Sequence, residues 1–438
     1  MNEESKTAKR KEPKDYSNIN IKGRKVKLLP TKEQEQLFWQ FAGTRRFVYN
    51  WALDLQMKSY KETGKLIPFP ELQHRIVVLK HEDKEKAWLK TISCDVAKQA
   101  IKDLECAYNK FFDMQKKEGY KYFTKSKILH SQRIGKELTN YDMNGHPKFK
   151  KKLNCDEGFH QDCMQVQFKD DKIFITKIGW VKIAKSDIFP QGHSGKDFKI
   201  YNAKVKTDGL HWYFVAGIEV KDMPQQIENS EPIGIDLGVK DLAILSTGEK
   251  FKNINKTQRV KKLEKRKRRL QRKVSRKYQM NKQGDKYIKT SNSIKLEKRI
   301  LHLNHKLTNI RKNYRHQVTS SIVKKNPIFI SMEDLNVQGM MKNKHLAKSI
   351  QQQGFGYIRT YLTYKCNDRN IPIYFTDRFY PSSKTCSCCG FIKSDLKLKD
   401  RIFTCPNCNS IMDRDINAAI NIKNYGQQEY NKSIKSAL

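Results

Sequence analysis

The chain has 438 residues, 88 of them Lys or Arg against 46 Asp or Glu, for a formal net charge of +42. That surplus is far beyond what solubility needs, so the expected partner is a polyanion, nucleic acid first. No apolar run approaches the ~18 residues that span a bilayer, and the opening MNEESKTAKRKEPKDYSN is polar throughout, which excludes a membrane-spanning or signal-directed chain and predicts a cytoplasmic, nucleoid-associated protein.

Residues 1–20 read as a disordered tail. A short alternating strand, IKGRKVKLL, stops at Pro30; Thr31 then caps a helix with Gln34 at the capping-box position. From there to residue 135 the pattern is helical, and Val96, Ala100, Leu104, Tyr108 and Phe111 form one apolar stripe. After GHPKFKKK at 145–152 the period changes to two. QVQFKD, DKIFITKIGWVKIA, FKIYNAKVKT and HWYFVAGIEV alternate, with hairpin turns at Asp170-Asp171 and Asp208-Gly209. The prediction is a small β-barrel over 21–30 and 136–228, with the helical block 31–135 inserted between its first two strands.

A third region begins at about residue 229. PIGIDLGVKDLAILSTGEKF reads as two antiparallel strands, with Asp236 where the first strand ends and the chain tightens at Gly238. Between Lys256 and Lys277 lie thirteen Lys or Arg and one Glu, yet Val260, Leu263, Leu270, Val274 and Tyr278 mark an apolar stripe. A second helix carries Leu296, Ile300, Leu303, Leu307, Ile310 and Tyr314 at alternating spacings of four and three. The pair predicts a basic helical hairpin over 256–323 with a heptad-like seam. The strand NPIFISMED delivers Glu333 to its carboxyl end, IPIYFTD supplies another strand, and Asp415 opens a final helix bearing Ala418, Ala419 and Ile422. Strand hairpin, helix, strand, helix, strand, helix is the order of an RNase H-like nuclease fold over 229–380 and 410–425, with a tail at 426–438.

Between the last strand and that helix, at 381–409, Cys386, Cys389, Cys405 and Cys408 form CxxC, fifteen residues, CxxC. Sulfurs two residues apart grip one ion from a tight turn, and two such turns complete a tetrahedron around a structural Zn²⁺. Cys388 competes with Cys389 on sequence, although only Cys389 has the two-residue gap from Cys386. Phosphodiester hydrolysis calls for hard carboxylate ligands around two Mg²⁺ ions. Asp236 would bridge both ions, with Glu333 and Asp415 each completing one site; Asp241, Asp334 and Asp413 are adjacent decoys, Asp413 the closest. Cys155, His160 and Cys163 offer only three donors for a second metal, His302 and His305 read as packing or phosphate-facing groups, and Arg45 and Arg46 are candidate nucleic-acid contacts.

These residues also carry a family resemblance. GIDLGVKDLAILSTG, SMEDLNVQGM, SSKTCSCCG, CPNC and DRDINAAINI resemble the RuvC and zinc-ribbon motifs of the TnpB family, transposon-encoded proteins related to type V CRISPR effectors. PTKEQEQLFWQFAGTRRFVYNWAL and GHPKFKKK resemble that family's amino-terminal motifs, so the likeness covers nearly the whole chain after residue 20. It implies an α+β multidomain protein: a wedge-type β-barrel with a helical recognition insertion, then a RuvC nuclease domain with an inserted zinc ribbon. It maps the catalytic acids onto Asp236, Glu333 and Asp415. The implied activity is RNA-guided DNA endonuclease, with a guide RNA and double-stranded target DNA as partners, a short motif flanking the target, and a monomeric protein in the RNA complex. A miniature type V CRISPR effector shares fold and chemistry and differs in where its guide is encoded. A nuclease-inactive RNA-guided repressor is disfavoured by three intact acids, and a strand-transferring transposase by the motifs themselves.

Overall fold

The computed structural model describes residues 21–152, 157–220, 230–397 and 400–437. It is a mixed α/β chain that divides into two compact units, Met1–Lys221 and Asp222–Leu438. The expected amino-terminal tail lies outside the described residues.

The first unit opens with β1 (Ile21–Leu29) and four helices, α1 (Lys32–Thr63), α2 (Phe69–Glu82), α3 (Cys94–Gln115) and α4 (Lys125–Ile134). The capping box at the start of α1 is formed. Thr31 Oγ1 accepts the Gln34 N–H at 3.3 Å, and Gln34 Oε1 accepts the Thr31 N–H at 3.1 Å, which satisfies two of the orphan donors of a helix start. The α3 stripe Val96, Ala100, Leu104, Tyr108 and Phe111 is buried throughout. Its first member joins the core of the sheet and the rest join Val48, Leu53 and Leu72 in a helical core.

Seven further strands follow: β2 (Gly158–His160), β3 (Gln167–Lys169), β4 (Lys172–Ile175), β5 (Gly179–Ile183), β6 (Gly192–His193), β7 (Ile200–Thr207) and β8 (Trp212–Glu219). They join β1 in one antiparallel sheet of order β2-β7-β8-β1-β5-β4-β3-β6. β1 pairs with β8 along Ile21–Lys27 and with β5 at Leu28 and Leu29, so the strand that precedes the helices stitches the two halves together. Among the described residues, β2 and β6 do not pair with each other, so hydrogen bonding does not close the barrel that the alternation predicts. Both edge strands are short, at three and two residues, which limits the unpaired backbone they present.

The second unit contains β9 (Ile233–Asp236), β10 (Asp241–Leu245), β11 (Lys250–Lys252), α5 (Gln258–Met280), a small ribbon of β12 (Lys282–Gln283) and β13 (Lys286–Tyr287), and α6 (Ser291–Lys324). β14 (Ile330–Glu333), α7 (Val337–Met340), α8 (Ala347–Gln353), α9 (Phe355–Asn367), β15 (Ile373–Thr376), the hairpin β16 (Ile402–Thr404) and β17 (Ile411–Asp413), and α10 (Arg414–Ala437) complete it. Five strands make one sheet of order β11-β10-β9-β14-β15; β10 is antiparallel to β9, whereas β14 is parallel to both β9 and β15.

Strand periodicity decides which side chains meet which helix. Ile233 and Ile235 of β9 and Ile330 and Met332 of β14 enter a core with Val318 and Ile322 of α6 and Ile358 and Leu362 of α9. Gly234, Asp236, Ser331 and Glu333 therefore share the other face, and there α10 lies close. A Cβ on Gly234 would stand 2.1 Å from the Ala419 carbonyl oxygen, and one on Gly426 would stand 2.6 Å from Ser331 Cβ. Gly426 accordingly sits inside α10 as a contact point. The expected tail from residue 426 is instead helix to Ala437. Gly234→Ala forces backbone against backbone and is expected to lower the melting temperature of the chain by roughly 5–10 °C. An unshifted melt would show that α10 can back away freely.

The hairpin of α5 and α6 departs from a closed heptad seam. Leu303 and Leu307 are buried, but Leu270, Leu296, Ile300 and Ile310 are only half-buried. A groove of about 920 Å³ opens where the seam was expected, bordered by Arg259, Arg266, Arg299, Lys306, His302 and His305. Like charges on both helices oppose closure. The one acid of α5 pins the pair, because Glu264 accepts from Arg311 of α6 at 2.8 Å and lies 3.3 Å from Lys267.

Candidate active site and four-cysteine cluster

Asp236 and Glu333 end adjacent parallel strands in matched register, one step beyond the Ile235–Met332 pair, and both point to the α10 face. Asp415 sits in the first turn of α10. Burial first, then the charges of Glu333 and Asp415, push the Asp236 carboxyl up to about 8, against the pull of Arg414. Burial also raises Glu333, against the Ser382 hydroxyl, which donates to Glu333 Oε1 at 2.6 Å. Asp236 thus feels the charges of both others. The three do not form one tight cage: among the described residues, only the four cysteines gather three or more donor atoms within 4.8 Å of one another. Asp415 is drawn toward cations, with Arg414 Nη2 3.1 Å from its Oδ1 and Arg401 Nη1 3.8 Å from its Oδ2.

The decoys have other duties. Asp413 Oδ1 accepts the backbone N–H groups of Asp415 at 2.9 Å and Ile416 at 3.3 Å, which makes it the N-cap of α10, while its Oδ2 pairs with Lys250 at 2.7 Å. Asp334 is held by Arg359 and Arg378. Asp241 opens β10, and its charge acts on the Tyr314 hydroxyl of α6.

Cys386, Cys389, Cys405 and Cys408 converge at the junction between β15 and α10. Sγ of Cys386 lies 3.7 Å from that of Cys408, and Sγ of Cys389 lies 3.5 Å from that of Cys405. A tetrahedron with metal–sulfur bonds of ~2.3 Å has edges of about 3.8 Å, whereas a disulfide needs ~2.05 Å. The donor set therefore fits one zinc ion. Cys388 is exposed and stands outside the group, so Cys389 takes the position that sequence left open.

Two weaker sequence candidates have other partners in the fold. Arg45 donates to Asp103 at 2.8 Å and Arg46 to Glu157 at 2.6 Å, so both guanidiniums serve as pins between α1, α3 and the chain entering β2. Their partners lie 58 and 111 residues away in sequence, beyond the reach of local pattern reading. Of the weak second metal set, Cys155 lies outside the described residues, His160 lies 3.6 Å from Asp103, and Cys163 Sγ accepts the Ala203 N–H at 3.4 Å. These two belong to no three-donor group among the described residues.

Three family profiles match the chain: "Helix-turn-helix domain" of the OrfB IS605 group over 20–65, "Probable transposase" of the same group over 216–344, and "Cas12f1-like, TNB domain" over 355–422. The second spans Asp236 and Glu333, and the third spans the four cysteines and Asp415. Two curated relatives share the description "Putative RNA-guided DNA endonuclease". InsQ of Escherichia coli (strain K12) is 29% identical over 414 residues, covering 91% of this chain and 90% of that protein. The one from Streptomyces pristinaespiralis is 25% identical over 399 residues, covering 91% and 87%. By these matches the chain is similar to the TnpB family. Among solved structures, "Structure of the mini-RNA-guided endonuclease CRISPR-Cas_phi3" aligns at a TM-score of 0.41 with 11% identity, covering 93% of this chain and 92% of that one.

Sequence reasoning missed the polar frame around the acids. Asn417 and Asn421 are buried on α10, at 0% and 3% exposure. Asn417 Nδ2 donates to the Thr385 carbonyl at 2.6 Å and its Oδ1 accepts the Ser387 N–H at 2.9 Å. Asn421 Nδ2 donates to the carbonyls of Ser382 at 2.8 Å and Thr385 at 2.6 Å. A signal existed: two amides four residues apart on an otherwise apolar helical face are expensive to bury unless they have partners.

Proposed function

We propose that this chain is an RNA-guided DNA endonuclease of the TnpB type, cleaving target DNA at a single RuvC site beside a short flanking motif. The observation that carries this reading is the placement of Asp236 and Glu333 at the ends of adjacent parallel strands on the sheet face covered by α10, whose first turn carries Asp415 near enough for its charge to act on Asp236. Three antiparallel strands extended by two parallel ones, with α10 laid across the first and fourth, support an RNase H-like nuclease domain. The four-cysteine segment would be a zinc ribbon inserted in it, and the first unit a wedge sheet carrying a helical recognition insertion.

The acids fit divalent ions. They offer hard oxygen donors, and burial, with the charges of Glu333 and Asp415 behind it, disfavours the ionised Asp236 carboxyl, a penalty that a bound cation would offset. Asp236, Glu333 and Asp415 would hold two Mg²⁺ ions, a pair that would supply activation of the attacking water and stabilisation of the leaving oxygen. The chain itself orients: Ser382 fixes the Glu333 rotamer, Asp413 caps the helix that presents Asp415, and Arg414 restrains the Asp415 carboxylate. The cationic groove of α5 and α6 would hold the phosphates of a guide–target duplex without reading its sequence. No helix among the described residues is long and apolar enough to cross a membrane.

Expression with the native downstream locus should yield one discrete copurifying RNA, and that complex should cut a DNA library with a randomised flank at one flanking motif. If no discrete RNA copurifies, the guided reading fails. A second test separates Asp413 from Asp415. Asn caps a helix as well as Asp does, so Asp413→Asn should cut within about threefold of wild type. Asp415→Asn should lose roughly a thousandfold or more, about 4 kcal/mol on the barrier. Equal losses in the two variants would mean that Asp413 is part of the metal-binding set.

A further inference from the structure

We propose that Ser382 is a positioning residue for Glu333, and that the serine is itself held by a polar staple from α10 that runs on into the four-cysteine cluster. The inference rests on the nuclease reading above in taking Glu333 as a metal ligand. Ser382 is 5% exposed and its Oγ donates to Glu333 Oε1 at 2.6 Å. Its carbonyl accepts from Asn421, which also grips the Thr385 carbonyl, where Asn417 donates as well. Asn417 closes the staple by accepting the N–H of Ser387, the residue after the ligand Cys386.

One helix therefore does three things. It carries Asp415 in its first turn, it fixes through Asn421 the serine that orients Glu333, and through Asn417 it anchors the first cysteine turn. Glu333 has two oxygens, and a hydrogen bond from a fixed hydroxyl to Oε1 leaves Oε2 free for an ion. Partners of this kind, one shell out from a metal, set ligand orientation and affinity. The serine belongs to the SSKT segment, which enters the cysteine cluster only four residues later. Order in the cluster is thus passed to the nuclease centre through six residues of chain clamped at both ends.

The test is Mn²⁺ binding to the full-length, zinc-loaded protein without nucleic acid, followed by the electron paramagnetic resonance of free Mn²⁺. Ser382→Ala should weaken binding roughly tenfold, while Ser382→Thr, which keeps the hydroxyl, should bind as wild type. Thermal melts on both variants establish that each is folded. Wild-type affinity in Ser382→Ala would overturn the proposal. Equal weakening in both folded variants would also overturn it, by assigning the effect to packing. Asp236→Ala serves as the control for the underlying reading: if it too binds Mn²⁺ like wild type, the three acids are not the metal site and the premise falls, whatever the serine variants do.

Discussion

Asp236→Ala is expected to cut target DNA at less than roughly a thousandth of the wild-type rate in Mg²⁺, while guide-dependent DNA binding stays within about threefold. The two readouts separate because they draw on different parts of the chain. Affinity for a duplex comes mainly from phosphates met by cations, and on the proposed reading those cations border the α5–α6 groove. Bond cleavage needs the ligand set, and Asp236 is the member that both other acids act upon. Retained cleavage in a purified, guide-loaded variant would disprove the assignment. A stability signature should accompany the loss. A carboxyl whose folded pKa lies above its unfolded value costs no stability below the unfolded value, near ~3.9. The cost then grows as pH rises toward the folded value of about 8. Without added divalent ions, Asp236→Asn should therefore melt higher than wild type, by a margin that widens from pH 4 to pH 8. Added Mg²⁺ should narrow that margin by stabilising only the wild type.

Much of this site could be read from the sequence because its parts are encoded locally. Each acid falls at the end of a strand or the start of a helix, positions that periodicity and capping patterns mark, and the cysteine spacing announces its own turn geometry. The α3 stripe and the capping box at Thr31 were legible for the same reason. What escaped depends on distant partners. Arg45 and Arg46 look like free cations until Asp103 and Glu157 are brought beside them. Gly426 looks like a helix stop until Ser331 and Phe329 explain why a side chain is missing there. The seam between α5 and α6 satisfies a heptad template, yet a groove bordered by cationic side chains opens along it. Ser382 resembles any loop serine, and only the fold sets it against Glu333.

Loss of zinc should be the second severe lesion, felt first in folding and only then in cutting. The segment around the cysteines has almost no core of its own: Cys386, Phe403 and Cys405 are its buried apolar residues, with Leu396 and Met412 packed against them. A β16–β17 hairpin of three-residue strands cannot stand on that, so on the zinc-ribbon reading a bound metal would supply the folding free energy, as in other small metal-held modules. One zinc per chain is expected by elemental analysis. Cys405→Ser should lose it and expose Lys384, Lys393 and Arg401 to trypsin, while the five-stranded sheet stays resistant. Cutting should then fall by roughly a hundredfold, because the released segment carries Ser382 away from Glu333 and leaves Asp413, at the end of β17, without a fixed strand from which to cap the helix of Asp415. A zinc-free variant that resists trypsin between residues 384 and 401 would show that the segment folds without metal. One that is nicked there yet cuts at the wild-type rate would show instead that the acids hold their places unaided.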